Sequence, residues 1–403
     1  MNGKLLSELE KGSKNAQIKK RIINYYIENG DATIADLSKE LDLSVPTTTK
    51  IIGEMTDDGF VIDYGKMETS GGRKPFIYGL NPASGYFVGV DIRRTFLNIG
   101  LINFKGEVME LRMNVPYLFE NTPAALDELC SIVSSFIAEQ GKKSDNILNI
   151  TINFSGRVNS ETGYCYSAFY FEERPLSEIL SDRLGYMVSV ENDTRAMTFG
   201  EFMCGIAREE RNIIFVNISW GVGIGIIIDG KVYYGESGYS GEFGHVSVFD
   251  NEILCHCGKK GCLETEASGS AVYRIFMERY KNGENSILSK ELDKGKTINL
   301  GEIINAVNNE DILSIEIIEE VGDKIGKYIA GLINIFNPGM LVIGGSLAAT
   351  GDYIALPIKS AIRKYSLNLV NKDSRIVISK LKEKAGVIGA CMLARKKLLE
   401  LSR

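Results

Sequence analysis

Residues 241–264 read GEFGHVSVFDNEILCHCGKKGCLE. Three of the chain's seven cysteines, Cys255, Cys257 and Cys262, fall within eight positions, and both of its histidines, His245 and His256, share the window. Soft thiolates and an imidazole at close spacing suit a tetrahedral Zn²⁺, and Gly258 and Gly261 supply the tight turns that gather them. Cys255 and Cys257 alternate along the chain, so an extended segment turns both to one side and His256 to the other. His245 is therefore the expected fourth ligand, with His256 exposed. Glu242 and Glu264 flank the cluster and make it read as a site as well as a staple. Cys130, Cys165, Cys204 and Cys391 are scattered in apolar or mixed surroundings and read as reduced packing residues.

Working outward, 403 residues predict two or three domains with substantial cores. A chain 44% hydrophobic and 24% charged falls in the ordinary soluble globular class. The N-terminal MNGKLLSELEKGSKN has no apolar signal core, and no run approaches the roughly 18 apolar residues of a membrane span. No membrane partner is expected, and free thiols without an export signal point to a reducing cytoplasm. The net charge of −6 excludes a generally basic coat, so any contact with nucleic acid has to come from a local patch.

Residues 16–80 carry such a patch. Ile18, Ile22, Ile23, Tyr26 and Ile27 form a helical stripe ending at Gly30, and Ile34, Leu37 and Leu41 mark a second short helix. Ser44 is the expected N-cap of a third helix, VPTTTKIIGEMTDDG, which stops at Gly59. Helix, turn and helix at this spacing match a helix-turn-helix. FVIDYG and FIYGL bracket KMETSGGRKP as strands bracket a wing. Pro46, Thr47, Thr48, Thr49 and Lys50 then open a recognition helix whose side chains meet base edges or phosphates of operator DNA. Lys14, Lys19, Lys20 and Arg21 occur with no acid between residues 11 and 27, and Arg73 and Lys74 sit at the flexible wing tip, placed to meet phosphates or a minor groove.

From about residue 84, short β runs alternate with helices. YFVGVDIRR, FLNIGLINF and GEVMELRMNVP read as a meander, followed by an amphipathic helix and the buried strand ILNITINFSG. NIIFVNIS, GIGIIIDGKVYYG and MLVIGGSL follow, with long helices at 309–336 and 385–401. A β-β-β-α-β-α plan occurring twice predicts two α/β lobes. The expected domains are 1–82 for the DNA reader, 83–195 with the terminal helix 385–403 for the first lobe, and 196–384 for the second lobe with the zinc loop.

A winged helix joined to such a chain, with ENDTRA at 191–196, GESGYSGEFGH at 235–245 and CHCGKKGCLE at 255–264, resembles the ROK family (repressors, open reading frames, kinases). Within it, the chain is most similar to the transcriptional-regulator branch of N-acetylglucosamine and xylose repressors. The resemblance implies an α/β chain with an actin/hexokinase-like (ribonuclease H-like) fold and a sugar site between lobes. It also implies a structural Zn²⁺ on His245, Cys255, Cys257 and Cys262. By the same matching, Asn192, Asp193, Glu242, His245 and Glu264 bind sugar, and Gly156 does so through its backbone. Carboxylates and an amide pair with vicinal hydroxyls, and one imidazole can bind metal through one nitrogen and a hydroxyl through the other. Asp193 stands where family kinases place the base that deprotonates the attacking hydroxyl.

The nucleotide side departs from the kinase pattern. Where family kinases carry D-x-G-G-T, the chain reads Asp91-Ile92-Arg93-Arg94-Thr95, and where they resemble G-T-G-I-G it reads Ser219-Trp220-Gly221-Val222-Gly223. Side chains replace glycines whose missing Cβ lets backbone wrap a phosphate. Ile343-Gly344-Gly345-Ser346 resembles the adenosine-side motif, although a tight strand-to-helix turn accounts for it equally. Ser155-Gly156 stands where the family has Pro-Gly, which leaves the identity of the sugar open. The expectation is a sugar-responsive transcriptional regulator, most simply a repressor acting as a homodimer or homotetramer, with Zn²⁺ but without ATP or Mg²⁺. The rivals are an ATP-dependent sugar kinase with an accessory reader, and a zinc-dependent scaffold.

Overall fold

The computed structural model describes residues 13–66 and 75–400. The chain forms two compact units. One holds the residues up to Gly156, Thr162–Glu191 and those from Ala390 on; the other holds Arg157–Glu161 and Asn192–Gly389.

In the first unit, α1 (Lys14–Asn29) starts on the Ser13 cap and buries Ile18, Ile22, Ile23 and Tyr26, the expected stripe. β1 (Ala32–Thr33) leads into α2 (Ile34–Glu40), where Thr33 and Asp36 make a reciprocal capping box. α3 (Val45–Asp57) begins on the Ser44 cap with Pro46 in its first turn. β2 (Val61–Lys66) and β3 (Phe76–Leu80) complete a three-stranded sheet in the order β1-β3-β2. The Lys19 ammonium is buried 3.4 Å from Glu54 and 3.7 Å from Asp58, which ties α1 to the far end of α3.

The same unit continues with the meander β4 (Tyr86–Ile92), β5 (Phe96–Asn103) and β6 (Val108–Pro116), then α4 (Pro123–Ala138) and β7 (Ile147–Phe154). β7 runs parallel to β4 and is buried at every position, as a strand covered on both faces must be. After β8 (Val158–Asn159), whose segment belongs to the second unit, come β9 (Tyr164–Cys165), α5 (Leu176–Leu184) and β10 (Val188–Asn192), giving the sheet order β10-β7-β4-β5-β6. The turn after β5 joins the reader to this sheet. Phe104 packs between Phe60 and Phe87, with ring centroids 5.7 and 6.0 Å away. Lys105 donates to Asp31 at 3.0 Å and lies 4.7 Å from the Tyr64 ring centroid. From the other side, Arg395 Nη1 donates to the Lys105 carbonyl at 2.7 Å.

The second unit repeats the strand plan. α6 (Asp193–Cys204) precedes β11 (Ile213–Ile218), β12 (Val222–Ile228) and β13 (Lys231–Val232). α7 (Gly269–Lys281), α8 (Ser289–Leu292), α9 (Leu300–Asn308) and α10 (Ile312–Phe336) follow the zinc loop. β14 (Met340–Gly344), α11 (Asp352–Tyr365), α12 (Asn368–Asp373) and β15 (Arg375–Ile378) complete it, and α13 (Ala385–Glu400) begins in the second unit and from Ala390 on belongs to the first. In each unit the first meander strand pairs antiparallel on one side and parallel on the other, β4 with β5 and β7, β11 with β12 and β14. α10 buries Ile317, Val321, Ile325 and Ile329 among Ile354, Ile358 and Ile362 in the principal apolar cluster of the unit. Truncating any one of these to alanine would cost about 2–5 kcal/mol. The helix expected over 309–336 begins at Ile312, because Asp311 serves as its N-cap.

Candidate metal centre and its surroundings

The zinc loop is a folded-back ribbon. Val248 and Phe249 N–H groups both donate to the Gly261 carbonyl, Leu263 N–H to Val246, and Cys255 N–H to Lys259. Gly261 sits at φ +73° with its α-carbon turned against the Phe249 carbonyl, so no side chain fits there. The loop docks on α10, where the Tyr328 hydroxyl donates to the Val248 carbonyl at 3.1 Å and Lys324 to Glu266 at 2.9 Å.

One ligand atom each from His245, Cys255, Cys257 and Cys262 lie within 4.8 Å of one another. His245 Nδ1 is 3.5 Å from Cys255 Sγ, and Cys257 Sγ is 3.6 Å from Cys262 Sγ. A tetrahedron with bonds of about 2.0–2.3 Å has edges of roughly 3.3–3.8 Å, so the donor set fits Zn²⁺. Burial pushes the Cys255 thiol up to about 12, and burial with the Cys257 contact raises Cys262 as well. Burial acts against the Cys257 thiolate too, but the Lys259 N–H and the neighbouring thiols hold Cys257 below the usual thiol value. A bound dication would favour all three thiolates at once.

His256 is 73% exposed at its side chain, as expected, but it does not turn away from the cluster: its Nδ1 lies 3.9 Å from Cys255 Sγ and its ring centroid 5.0 Å from that of His245. The same nitrogen lies 2.9 Å from Glu264 Oε1, a pairing the sequence did not suggest. Glu264 is buried, and its other oxygen accepts the Val222 N–H at 2.9 Å. The carboxylate thus joins the zinc loop to the turn after β11. Glu242 is half-buried with Oε2 3.7 Å from His245 Nε2, so the ring turns Nδ1 to the thiols and Nε2 towards Glu242. Gly241 at φ +96° packs against the Ile224 carbonyl and fixes where Glu242 begins.

Asn192 and Asp193 sit at the start of α6. Asn192 Oδ1 accepts the Arg195 N–H at 3.0 Å as the helix N-cap, and Asn192 Nδ2 lies 3.3 Å from Asp193 Oδ1. Asp193 is buried, and Oδ1 also accepts the Thr194 N–H at 2.7 Å. Thr194 Oγ1 accepts from Asn217 Nδ2 at 2.9 Å, Asn217 Oδ1 accepts from the Ser219 hydroxyl at 2.7 Å, and Ser219 Oγ accepts the Ser346 N–H at 3.1 Å. Ser219, a residue the kinase loop lacks, therefore clips its own turn to the Gly344-Gly345 turn. Trp220 is 43% exposed beside the Tyr273 ring.

In the first unit, Gly156 is exposed at φ +92° with its α-carbon facing the Ser167 hydroxyl. Asp91 is fully buried, and Arg93 Nε and Nη2 both lie 2.9 Å from its Oδ2. The arginine that replaces the first glycine is thus folded back onto its own strand's carboxylate.

At the reader, Pro46, Thr49 and Lys50 are exposed and Thr47 is half-buried, with Thr47 Oγ1 2.8 Å from Ser44 Oγ. Thr48 corrects the sequence expectation. It is fully buried, accepts from the Ser38 hydroxyl at 2.9 Å and donates to the Ser44 carbonyl at 3.2 Å, so it pins α2 to α3 and cannot meet DNA. The signal was present in the spacing, since 48, 52 and 55 lie on one helical face. Arg73 and Lys74 lie outside the described residues.

Sequence reasoning also missed Arg195, a buried guanidinium on α6. A charged residue within a helix otherwise buried from 193 to 201 is the trace it left.

A family profile described as "ROK family" matches residues 87–397, and one described as "Winged helix-turn-helix DNA-binding" matches 16–62. A "Putative xylose repressor" of Caldicellulosiruptor sp. is 29% identical over 91% of the chain and 92% of its own length. Among solved structures, a ROK family transcriptional regulator, homolog of the E. coli MLC protein, is similar with a TM-score of 0.80 and 28% identity, covering 96% of this chain and 97% of that one. A ROK family glucokinase from Streptomyces griseus, in complex with glucose and AMPPNP, is similar with a TM-score of 0.69 and 28% identity, covering 77% of this chain and 100% of that one.

Proposed function

Since the chain belongs to the ROK family, we propose that it is a sugar-responsive repressor that binds operator DNA through its winged helix and retains the sugar-kinase fold as a sensor. Pro46, Thr47, Thr49 and Lys50 are the DNA-facing residues of the recognition helix, joined by Arg73 and Lys74 of the wing. Asn192, Asp193, Glu242, His245 and Glu264, with the backbone of Gly156, take the sugar. Zn²⁺ on His245, Cys255, Cys257 and Cys262 holds the loop that carries two of those ligands and fixes the His245 tautomer. Three parts divide these roles: the reader 1–82, the remainder of the first unit, and the second unit, whose bounds differ from the expected 83–195 and 196–384 in that 157–161, 192–195 and 385–389 belong to the second.

The single observation that carries a regulatory role over an enzymatic one is Arg93 on Asp91. A phosphate loop presents backbone N–H groups and a carboxylate for Mg²⁺; here the carboxylate is already neutralised from within the loop. The Ser219 clip acts in the same sense, because it occupies the Ser346 N–H. Sugar then acts by its differential affinity for the chain's conformations, and one to two kcal/mol of coupling gives a roughly 5- to 30-fold change in operator affinity. Two readers in a cytoplasmic homo-oligomer would place this change on two half-sites.

A second possibility, an ATP-dependent sugar kinase, is favoured by the buried Asp193 at the N-terminus of α6, where a base would stand. Two measurements separate them. Fluorescence anisotropy with DNA from upstream of the gene should show tight binding that D-xylose or D-glucose weakens. A coupled assay with ATP, Mg²⁺ and the same sugars should show no turnover; a rate above about 1 s⁻¹ would overturn the repressor assignment.

A further inference from the structure

We propose that Arg195 is a positioning residue of the sugar site, a single buried guanidinium that holds the start of α6, which carries Asn192 and Asp193, to the segment that follows Gly156 and to the loop that leads into Glu242. The inference rests on the sugar-binding proposal above and adds to it a residue that acts on the neighbouring loops mainly through their carbonyls.

Arg195 is 3% exposed and lies in the first turn of α6, directly after Asn192 and Asp193. Its Nη1 donates to the Gly238 carbonyl at 2.7 Å, four residues ahead of Glu242. Its Nη2 donates to the Val158 carbonyl at 2.9 Å and lies 3.5 Å from Ser160 Oγ, within the segment that follows Gly156. The guanidinium carbon is 5.3 Å from the Tyr234 ring centroid, at the entry to the glycine-rich loop. One side chain therefore ties α6, the 157–161 segment and the 235–241 loop together.

The 157–161 segment makes this tie matter. It belongs to the second unit although the chain on both sides of it belongs to the first. Its β8 strand has two residues, too short to hold its place by sheet pairing alone. Gly238 at φ +79° brings its backbone within close reach of Val158 and Asn159, so the two loops are packed as well as bonded. A buried charge is kept only where it is well hydrogen-bonded, and a planar fork that spans two carbonyls on separate segments is what guanidinium offers and ammonium does not. Lysine at this position keeps the charge but reaches one carbonyl. The freed loop must then be ordered by the ligand, which weakens binding.

The test uses full-length protein and the variants Arg195→Lys and Arg195→Ala. Hydrogen–deuterium exchange should rise at least tenfold in 157–161 and 235–241 together, with the 213–228 strands unchanged. In titrations with D-xylose and D-glucose, the sugar that binds the wild type should bind each variant at least tenfold more weakly, at unchanged stoichiometry and zinc content. Millimolar guanidinium should restore part of the affinity of the alanine variant and none of that of the lysine variant. Unchanged exchange in either segment, or a rise spread evenly over the second unit, overturns the positioning role; so does an unchanged sugar affinity. A wild type that binds no sugar in a panel of pentoses, hexoses and amino sugars refutes the sugar-binding proposal itself, a failure visible without any variant.

Discussion

Replacing Glu264 with alanine removes the carboxylate that joins the zinc loop to the turn after β11. The Val222 N–H, 2.9 Å from Glu264 Oε2, is buried and would lose its acceptor. A charge-assisted hydrogen bond of this kind contributes about 1.5–3 kcal/mol, much of it the penalty of the stranded donor. The contact of Glu264 with the exposed His256 ring adds little. About 2 kcal/mol is expected at this turn, which corresponds to a roughly 30-fold loss of amide protection, since about 1.4 kcal/mol is tenfold. Glu264→Gln keeps a carbonyl for Val222 and should cost less than about 1 kcal/mol. Hydrogen exchange of a peptide spanning 219–224 reads both variants. If the alanine variant protects Val222 as the wild type does, the brace contributes nothing and Glu264 is buried for another reason. The glutamine variant also isolates the ligand role, because sugar affinity should fall while protection of Val222 is retained.

The purified protein should carry zinc, and Cys257→Ser should lose both metal and sugar response, measured by elemental analysis and by operator release; a variant that senses sugar without metal would separate the two. Lys50→Ala should weaken DNA binding on all sequences and lower the salt slope by about one, whereas Thr48→Val should leave the slope unchanged and cost the reader about 1 kcal/mol through the lost Ser38 bond. Asp311 caps α10 and accepts from Ser286, Ile287 and Ser314; burial works against its charge, yet these donors hold its carboxyl below the usual value. Its stabilisation is therefore present above the unfolded carboxyl pKa and lost as pH falls through the folded one. Wild-type melting temperature should fall more steeply below about pH 4 than that of Asp311→Ala, which loses about 2 kcal/mol at neutral pH.

The candidate metal site was legible because both of the chain's histidines and three of its seven cysteines fall in one short window. The reader was legible because its helices carry apolar stripes of the right period and Ser44 caps the third; the Ser13 and Thr33 caps were added by the structure. What escaped was set by partners far along the chain. Arg195 meets Val158 and Gly238, 37 and 43 residues away, and Ser219 reaches Ser346 across 127. No periodicity encodes such pairings. Arg93 was visible as a lost glycine, but its landing on Asp91 depends on how the chain turns after β4.

The turn after β5 bears on how such a chain could be taken apart. Phe104 is nearly inaccessible only because Phe60 of the reader covers it alongside Phe87. Cutting the chain near residue 82 would bare an aromatic surface on one fragment and open the core of the other, so both halves should aggregate rather than work as modules. The reader is seated, not tethered. Moving it off the sheet would have to part Phe60 from Phe104 and Lys105 from Asp31, which lengthening the chain near residue 82 does not do.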